Sequence, residues 1–268
     1  MEIGNAIHFA LEQMVKDVNK TGVYPDIDFL NKRFDEKIQE ELQKDLEEAA
    51  KLINIQEEKN KLNAYYEYLQ SQIKNLKKDT FEAEKNIEMS ISVEYNGMSF
   101  TIDFSGKIDR LDKNDDGTYN IIDYKTGKEK SPSSFAPEKD NEEYYNQLAI
   151  YRYILEEQDE YKGKIKEIKI VQPQLFKKEN EEEKKSKNNK QNKQNPKEFR
   201  INDLEGENGL INCKNVLNKY AECIFKIKQF AEENSNIETR KVFECKEKCN
   251  KDNFTFCDYK AFCKSMVI

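Results

Sequence analysis

The sequence predicts an α/β fold in which a mixed central sheet of four or five strands is flanked by helices. Apolar residues recur at helical spacing before Ile87 and at every second position after it. An alternating run over 99–111 and a short apolar run over 119–124 are joined by an Asp/Asn/Gly turn at 114–117 and predict a β-hairpin. A later alternating run over 164–176 predicts a further strand.

Composition narrows the class of protein. The chain has 268 residues, 36% of them charged, and a formal net charge of −7. It shows no apolar run of about 18 residues and no secretory signal pattern, so we expect a cytoplasmic protein that does not interact with membranes. The net charge disfavours a generally basic surface that coats nucleic acid, but it is compatible with a local basic groove.

Helices are predicted in the first third of the chain. Residues 2–20 carry apolar side chains at helical spacing: Ile3, Ile7, Leu11, Met14 and Val18. The same segment carries His8, the only histidine, and a lone helical histidine is by itself more often a hydrogen-bonded, partly buried residue than a ligand. Residues 26–86 are dense in helix formers and predict a helical insertion of two or three long amphipathic helices.

The charged residues of the hairpin suggest chemistry. Asp109 lies near the end of its first strand, while Asp123 and Lys125 lie at the end of the second and share one face, because side chains alternate along a strand. Two carboxylates and an ammonium at one sheet edge can hold a divalent cation and a phosphate. Glu94 ends the preceding strand, before Asn96-Gly97; it either joins this edge or is an exposed strand acid.

The hairpin turn also matches the opening of a calcium-binding loop. Four residues follow the pattern D-x-N-x-D-G: Asp112, Asn114, Asp116 and Gly117. A calcium loop needs a helix on each side and usually a Glu at its end, whereas both flanks here alternate as strands and the twelfth residue is Asp123. We therefore interpret this segment as a turn.

The C-terminal half continues the α/β pattern. A helix is predicted over 141–157, with Gln147 and Tyr151 four residues apart on one face. Residues 177–197 contain almost no apolar side chain and predict a disordered loop. A strand near 199–201 and a helix over 203–233 follow.

Four of the six cysteines lie in the Cys-rich tail, residues 241–268: Cys245, Cys249, Cys257 and Cys263. Without a secretory signal a disulfide framework is disfavoured, so four thiols indicate an iron–sulfur or zinc site. The spacing lacks the paired C-x2-C of a zinc ribbon, which weakens zinc. The other two, Cys213 and Cys223, are interpreted as ordinary buried residues.

Four segments in order carry a family resemblance: GNAIHFALE (4–12), GKIDRLD (106–112), IIDYKTGK (121–128) and QLAIY (147–151). Together they resemble the RecB-family branch of the PD-(D/E)XK nucleases, which occurs in AddB-like subunits of recombination complexes and in stand-alone exonucleases. The resemblance implies a restriction-endonuclease-like fold forming a single nuclease domain over 1–268. It also implies a metal-dependent DNA exonuclease that hydrolyses phosphodiester bonds in repair or recombination.

The resemblance implies a role for each matching residue. Three side chains and one backbone carbonyl would ligate Mg²⁺ or Mn²⁺: those of His8, Asp109, Asp123 and Tyr124. Lys125 would position or activate the attacking water and stabilise charge on the phosphate.

Other matching positions would support the site. Gln147 and Tyr151 match the family's Gln-x3-Tyr, which supports the site and contacts the DNA strand, and Glu94 sits where the family often has a further acid. Iron–sulfur members usually take one cysteine upstream of the histidine and three from the C-terminus at C-x2-C-x5-C. Here only the x5 spacing of Cys257 and Cys263 is kept, so the 4Fe–4S cluster is either rearranged within the tail or incomplete.

Partners and an alternative function follow from the same comparison. The expected substrate is DNA, as single strands or ends. The chain has no G-x4-GK[ST] phosphate loop and so does not itself hydrolyse ATP; a partner helicase would supply single strands from duplex ends. The alternative function is a non-catalytic DNA-binding module that keeps the fold, which the intact set of Asp109, Asp123 and Lys125 disfavours.

Overall fold

The structure is a computed structural model that describes residues 2–42, 48–73, 76–176 and 197–233. In this part of the chain the helices are α1 (Glu2–Thr21), α2 (Ile27–Leu42), α3 (Glu48–Gln72), α4 (Glu142–Glu156) and α5 (Gly206–Glu233). The strands are β1 (Phe81–Tyr95), β2 (Met98–Lys113), β3 (Tyr119–Tyr124), β4 (Ile165–Val171) and β5 (Glu198–Arg200). The predicted disordered loop, except for its last residue, and the Cys-rich tail lie outside the described residues.

The strands form one mixed sheet in the order β1-β2-β3-β4-β5. β3 pairs antiparallel with β2, where Arg110 faces Ile122, and parallel with β4, where Asp123 faces Ile170. β5 closes the other edge, antiparallel to β4. Parallel neighbours need a crossover connection, and α4 lies within the one that joins β3 to β4. The predicted α/β class with a mixed sheet is confirmed.

The first three helices cover one face of this sheet. Their buried side chains join those of β3 and β4 in one apolar cluster, which includes Leu11, Met14, Leu30, Phe34, Leu62, Tyr65, Ile122, Tyr124 and Val171. Because β3 is buried along its whole length, it forms the centre of the packing. None of the described helices is long and apolar enough to cross a membrane.

The prediction that helices continue to residue 86 was wrong, because β1 already begins at Phe81. Charged residues in this part of the strand interrupt the alternation of apolar and polar residues by which a strand is recognised in a sequence. They are neutralised locally, since Lys85 contacts Glu82 at 3.0 Å and Lys107 contacts Glu84 at 2.7 Å. Glu84 also has a positive φ of 51°, which interrupts the regular alternation.

The chain divides into two compact units. The first comprises residues 1–90 and 103–214, and it contains β3, β4, β5 and the helices that cover them. The second comprises residues 91–102 and 215–268; within its described part the Tyr95 and Phe225 rings lie 5.6 Å apart. The turn at Asn96 and Gly97 has φ values of 49° and 75°, as the Asn-Gly dipeptide predicts for a type I′ hairpin.

The two cysteines of α5 differ in their surroundings. Cys213 is buried, as predicted, and burial raises the pKa of its thiol to about 12. Cys223 is exposed, so the prediction that it is buried was wrong. The helix is amphipathic. Ala221 and Phe225, four residues apart, lie on its buried side, and Cys223, halfway between them in the chain, lies on the exposed side.

Candidate active site

His8 projects from α1 between the helical layer and the sheet. Its side chain is 29% exposed, its Nδ1 lies 3.5 Å from Oδ1 of Asp109, and its ring meets the Tyr124 ring edge-on at 5.7 Å. One turn earlier, a Cβ on Gly4 would lie 2.6 Å from Oγ1 of Thr126. Only glycine allows α1 to approach the segment after β3 this closely, and this approach places His8 beside Asp109.

Asp109 lies on β2, one residue before the paired Arg110. Its Oδ2 accepts a hydrogen bond of 2.7 Å from the backbone N–H of Tyr124. Its Oδ1 faces His8. The carboxylate is therefore oriented by the backbone of the neighbouring strand, with one oxygen directed at the imidazole.

Glu84 is a candidate metal ligand that the sequence pattern did not indicate. One ligand atom each of His8, Glu84 and Asp109 lies within 4.8 Å of the others, a grouping that can hold a metal ion. The predicted acid, Glu94, is exposed and belongs to the second unit. The alternation of Phe81 with Ala83 is the signal that would have placed Glu84 on a strand, but the surrounding charges obscure it.

Asp123 and Lys125 form an ion pair at the end of β3. Oδ2 of Asp123 lies 2.7 Å from Nζ of Lys125, and both side chains are largely buried. Burial raises the pKa of Asp123, and the charge of Asp109 adds to this while the Lys125 and His8 charges oppose it. Burial lowers the pKa of Lys125, but Asp123 outweighs it and the pKa is raised, so Lys125 carries a proton at neutral pH.

His8 responds to the same carboxylates. Burial alone lowers its pKa, but the contact with Asp109 and the charges of Asp109 and Asp123 outweigh burial, so the pKa is raised above 6.5. The contact of His8 with Asp109 and the ion pair of Asp123 with Lys125 are linked by Tyr124, which lies between Asp123 and Lys125 and donates its backbone N–H to Asp109. The structure therefore brings together His8, Asp109, Asp123 and Lys125.

Hydrogen bonds of Gln147 and Tyr151 connect α4 to β2. The Tyr151 hydroxyl accepts hydrogen bonds from Nε2 of Gln147 at 2.7 Å and from the backbone N–H of Lys107 at 3.4 Å. A Cβ on Gly106 would lie 2.6 Å from Cε1 of Tyr151, so glycine is needed for the ring to lie against the strand. These contacts reach β2 two residues before Asp109 and support the site from that side.

Arg110 supports the site from the opposite face of β2. It is buried and binds Asp112 through two hydrogen bonds, of 2.6 and 2.9 Å. Its third nitrogen donates to the hydroxyls of Tyr124 at 2.7 Å and Tyr65 at 3.0 Å. The side chain of Tyr124 is thereby fixed, and the backbone of the same residue orients Asp109.

A cleft of about 730 Å³ in the first unit is lined in part by Arg110 and Asp112, but by none of the candidate metal-binding residues or Lys125. Its mouth carries oppositely charged pairs, among them Lys77 with Asp115 at 2.9 Å and Lys113 with Asp79 at 3.0 Å. Asp116 in the adjacent turn accepts from the hydroxyl and backbone N–H of Thr118, as expected of a hairpin turn rather than a calcium loop. Because its charges neutralise one another, we assign no chemistry to this cleft.

The donor atoms suit a divalent cation. An imidazole and several carboxylates are ligands that Mg²⁺ and Mn²⁺ accept in proteins. Oδ2 of Asp123 is buried, and the ammonium of Lys125 lies 2.7 Å from it and balances its charge. One ligand atom each of His8, Glu84 and Asp109 lies within 4.8 Å of the others, and Asp123 adds a further carboxylate to this donor set. The residues present therefore fit a metal.

A mixed sheet that carries such a cluster, with a lysine at the end of its central strand, is the arrangement expected of α/β enzymes that act on phosphodiesters with a divalent metal. The sequence model of the PD-(D/E)XK nuclease superfamily matches residues 1–264, and the chain belongs to this superfamily. The sequence Asp123-Tyr124-Lys125 matches the (D/E)XK pattern in that name. A comparison with curated proteins finds no matching sequence.

Proposed function

We propose that this protein is a DNA exonuclease of the RecB-like branch of its superfamily, acting in repair or recombination. The observation that carries the proposal is the convergence of His8, Glu84 and Asp109 within 4.8 Å in a chain of the superfamily, with the Asp123–Lys125 pair alongside. The segments that resemble the RecB-like branch contain all of these residues except Glu84.

The metal-binding residues in this proposal are His8, Glu84, Asp109 and Asp123, with the backbone carbonyl of Tyr124 as a further ligand. A bound Mg²⁺ or Mn²⁺ supplies positive charge to the phosphate oxygens and lowers the pKa of a water molecule. The hydrogen bond from the Tyr124 N–H holds the Asp109 carboxylate in a fixed orientation, so little reorganisation is needed when a ligand arrives.

Lys125 supplies a fixed cation for the reacting phosphate. Asp123 keeps it protonated, and its ammonium also lies 4.0 Å from the centroid of the Tyr144 ring. A positioned ammonium stabilises the charge that develops on phosphate oxygens and orients the attacking water. Gln147, which is held by Tyr151, is the polar group on α4 that we assign to contact with the DNA strand.

The proposed partners are DNA, as single strands or ends, and a helicase that opens duplex ends. A 4Fe–4S cluster in the tail is a separate proposal, because Cys245, Cys249, Cys257 and Cys263 lie outside the described residues. An iron assay and absorbance spectrum of anaerobically purified protein test it. A colourless, iron-free protein that still cleaves DNA would remove the cluster from the mechanism.

The proposed function is tested with end-labelled single-stranded and duplex DNA in the presence of Mg²⁺ or Mn²⁺. We expect shortening from the ends that EDTA abolishes and that Asp123→Ala and Lys125→Ala each eliminate. Asp115→Ala is the matched control, because Asp115 is an exposed acid of the same hairpin that contacts Lys77. Cleavage at the native rate by either site variant would refute the assignment, and DNA binding without any cleavage would favour the non-catalytic alternative.

A further inference from the structure

Lys130 follows the hairpin in the chain. Its ammonium and that of Lys125 both contact the aromatic ring of Tyr144. The two Nζ atoms lie 4.9 and 4.0 Å from the centroid of the Tyr144 ring, so their separation is at most about 9 Å, the sum of the two distances. The ring itself is held by Phe135, which stacks on it at 6.1 Å with an interplanar angle of 28°. Two cations therefore lie within about 9 Å of each other next to the candidate active site.

The position of Lys130 is fixed by a buried amide. Gln172, which is fully buried, accepts a hydrogen bond from the Lys130 N–H at 2.7 Å and donates one to the Lys130 carbonyl at 3.0 Å. The ammonium itself donates to Oδ1 of Asn141 at 2.8 Å. A lysine whose backbone and side chain are both held loses little conformational entropy when it binds a ligand.

The Lys130 ammonium has different contacts from those of Lys125 and Lys107. Lys125 and Lys107 each contact a carboxylate at 2.7 Å. Within the described ranges, the Lys130 ammonium contacts only the neutral Asn141 oxygen and the Tyr144 ring. A half-buried ammonium that contacts no carboxylate of the described part of the chain, and lies close to a second ammonium, is stabilised by an anion that approaches both.

We propose that Lys130, with Tyr144 and Asn141, forms a subsite for a second phosphate of the nucleic acid, adjacent to the phosphate that Lys125 contacts. The proposal rests on the proposed function and extends it. Nucleic-acid strands advance by about 3.4 Å per nucleotide along the helix axis, so consecutive phosphates can meet two ammonium groups that are less than about 9 Å apart. Lysine binds phosphate as a point charge, without the fixed geometry of a guanidinium.

The test is equilibrium binding of a fluorescently labelled single-stranded oligonucleotide, followed by anisotropy in EDTA over a series of salt concentrations. Lys130→Met keeps the apolar stem and removes the charge. We expect weaker binding at every salt concentration, and a fall of about 0.7 in the magnitude of the slope of log K against log salt, the value for one single-strand phosphate contact. Lys130→Arg keeps the charge and should keep the slope of the unaltered protein.

Lys164→Met is the matched control, because Lys164 precedes β4 at the end of the strand remote from Asp123 and its partner Ile170. It removes the same charge and should not change the slope. An unchanged slope in Lys130→Met would overturn the subsite. Unfolding in urea verifies the fold, and if Lys130→Met unfolds early, Lys130→Gln, which keeps a polar end for Asn141, takes its place in the comparison.

Cleavage by the unaltered protein is measured separately, so the two proposals can fail independently. Cleavage with an unchanged Lys130→Met slope would remove the subsite and leave the nuclease. Binding with the reduced slope but no cleavage would keep the subsite and remove the nuclease. An unaltered protein that neither binds nor cuts DNA would remove both.

Discussion

Asp109 accepts a 2.7 Å hydrogen bond through Oδ2 from the backbone N–H of Tyr124, the residue between Asp123 and Lys125. The second oxygen of Asp109 is left to face His8 at 3.5 Å. The backbone N–H of Tyr124 therefore orients an acid of β2, while the two residues that flank Tyr124 form the ion pair. The register of two neighbouring strands determines the arrangement of the site.

Glu84 is expected to bind the metal, and Glu94 is not. Glu84→Gln should weaken Mn²⁺ binding at least about tenfold, because it removes a charged oxygen from a group whose atoms lie within 4.8 Å. Glu94→Gln is the matched control, made in the same strand at an exposed residue. Titration calorimetry measures the Mn²⁺ affinity of both variants. If Glu94→Gln binds Mn²⁺ more weakly than Glu84→Gln does, Glu94 and not Glu84 is the metal ligand.

Gly4 is expected to set the position of His8. Gly4→Ala places a Cβ 2.6 Å from Oγ1 of Thr126, and overpacking of this kind typically costs about 1–3 kcal/mol. We expect a lower unfolding free energy and weaker Mn²⁺ binding, because α1 must move away from the segment after β3.

The double variant Gly4→Ala/Thr126→Ala tests the cause. Thr126→Ala removes the oxygen and leaves its Cβ 3.6 Å from the added methyl group, an ordinary contact. Both stability and metal affinity should therefore recover relative to Gly4→Ala alone. Alanine favours a helix more than glycine does, so equal defects in the single and double variants would show that another contact of the added methyl group is responsible.

The sequence predicted those parts of the site that depend on neighbours along the chain. Asp123 and Lys125 are two residues apart in a strand, so the alternation of side chains was enough to place them together. The pairing of His8 with Asp109 joins elements about a hundred residues apart and came from the family resemblance.

Other groups depend on contacts that no local pattern contains. Glu84 reaches the cluster from a strand whose start is hidden by charged residues and whose φ at that position is 51°. The cation–π contacts of Tyr144 depend on how α4 packs, because its helical spacing is equally compatible with a core tyrosine. Arg110 could be placed on β2, but its partner Tyr65 comes from α3.

Arg110 and Asp112 are expected to be strongly coupled. Arg110→Met leaves the Asp112 carboxylate buried without its bidentate partner, and breaking a buried ion pair costs about 3–5 kcal/mol. The double variant Arg110→Met/Asp112→Leu removes this unpaired carboxylate as well. It should restore most of the unfolding free energy, measured in urea, that Arg110→Met loses. Additive losses in the double variant would contradict the coupling.

Tyr145 is expected to weaken the fold at alkaline pH. It is buried, and burial raises its pKa to about 12, with smaller contributions from Asp203 and Cys213. Above about pH 10 the unfolded chain loses this proton while the folded protein keeps it. The unfolded state then binds fewer protons, so stability falls as pH rises toward 12, by at most about 1.4 kcal/mol per pH unit for this group.

Tyr145→Phe removes this ionisation and keeps the buried ring. The unfolding free energy of the variant, measured in urea, should therefore decline less steeply than that of the unaltered protein between about pH 10 and pH 12. Between about pH 7 and pH 9 neither state ionises at this residue, so the two curves should run parallel and serve as the internal control. Parallel curves across the alkaline range as well would show that Tyr145 ionises equally in both states, which its burial argues against.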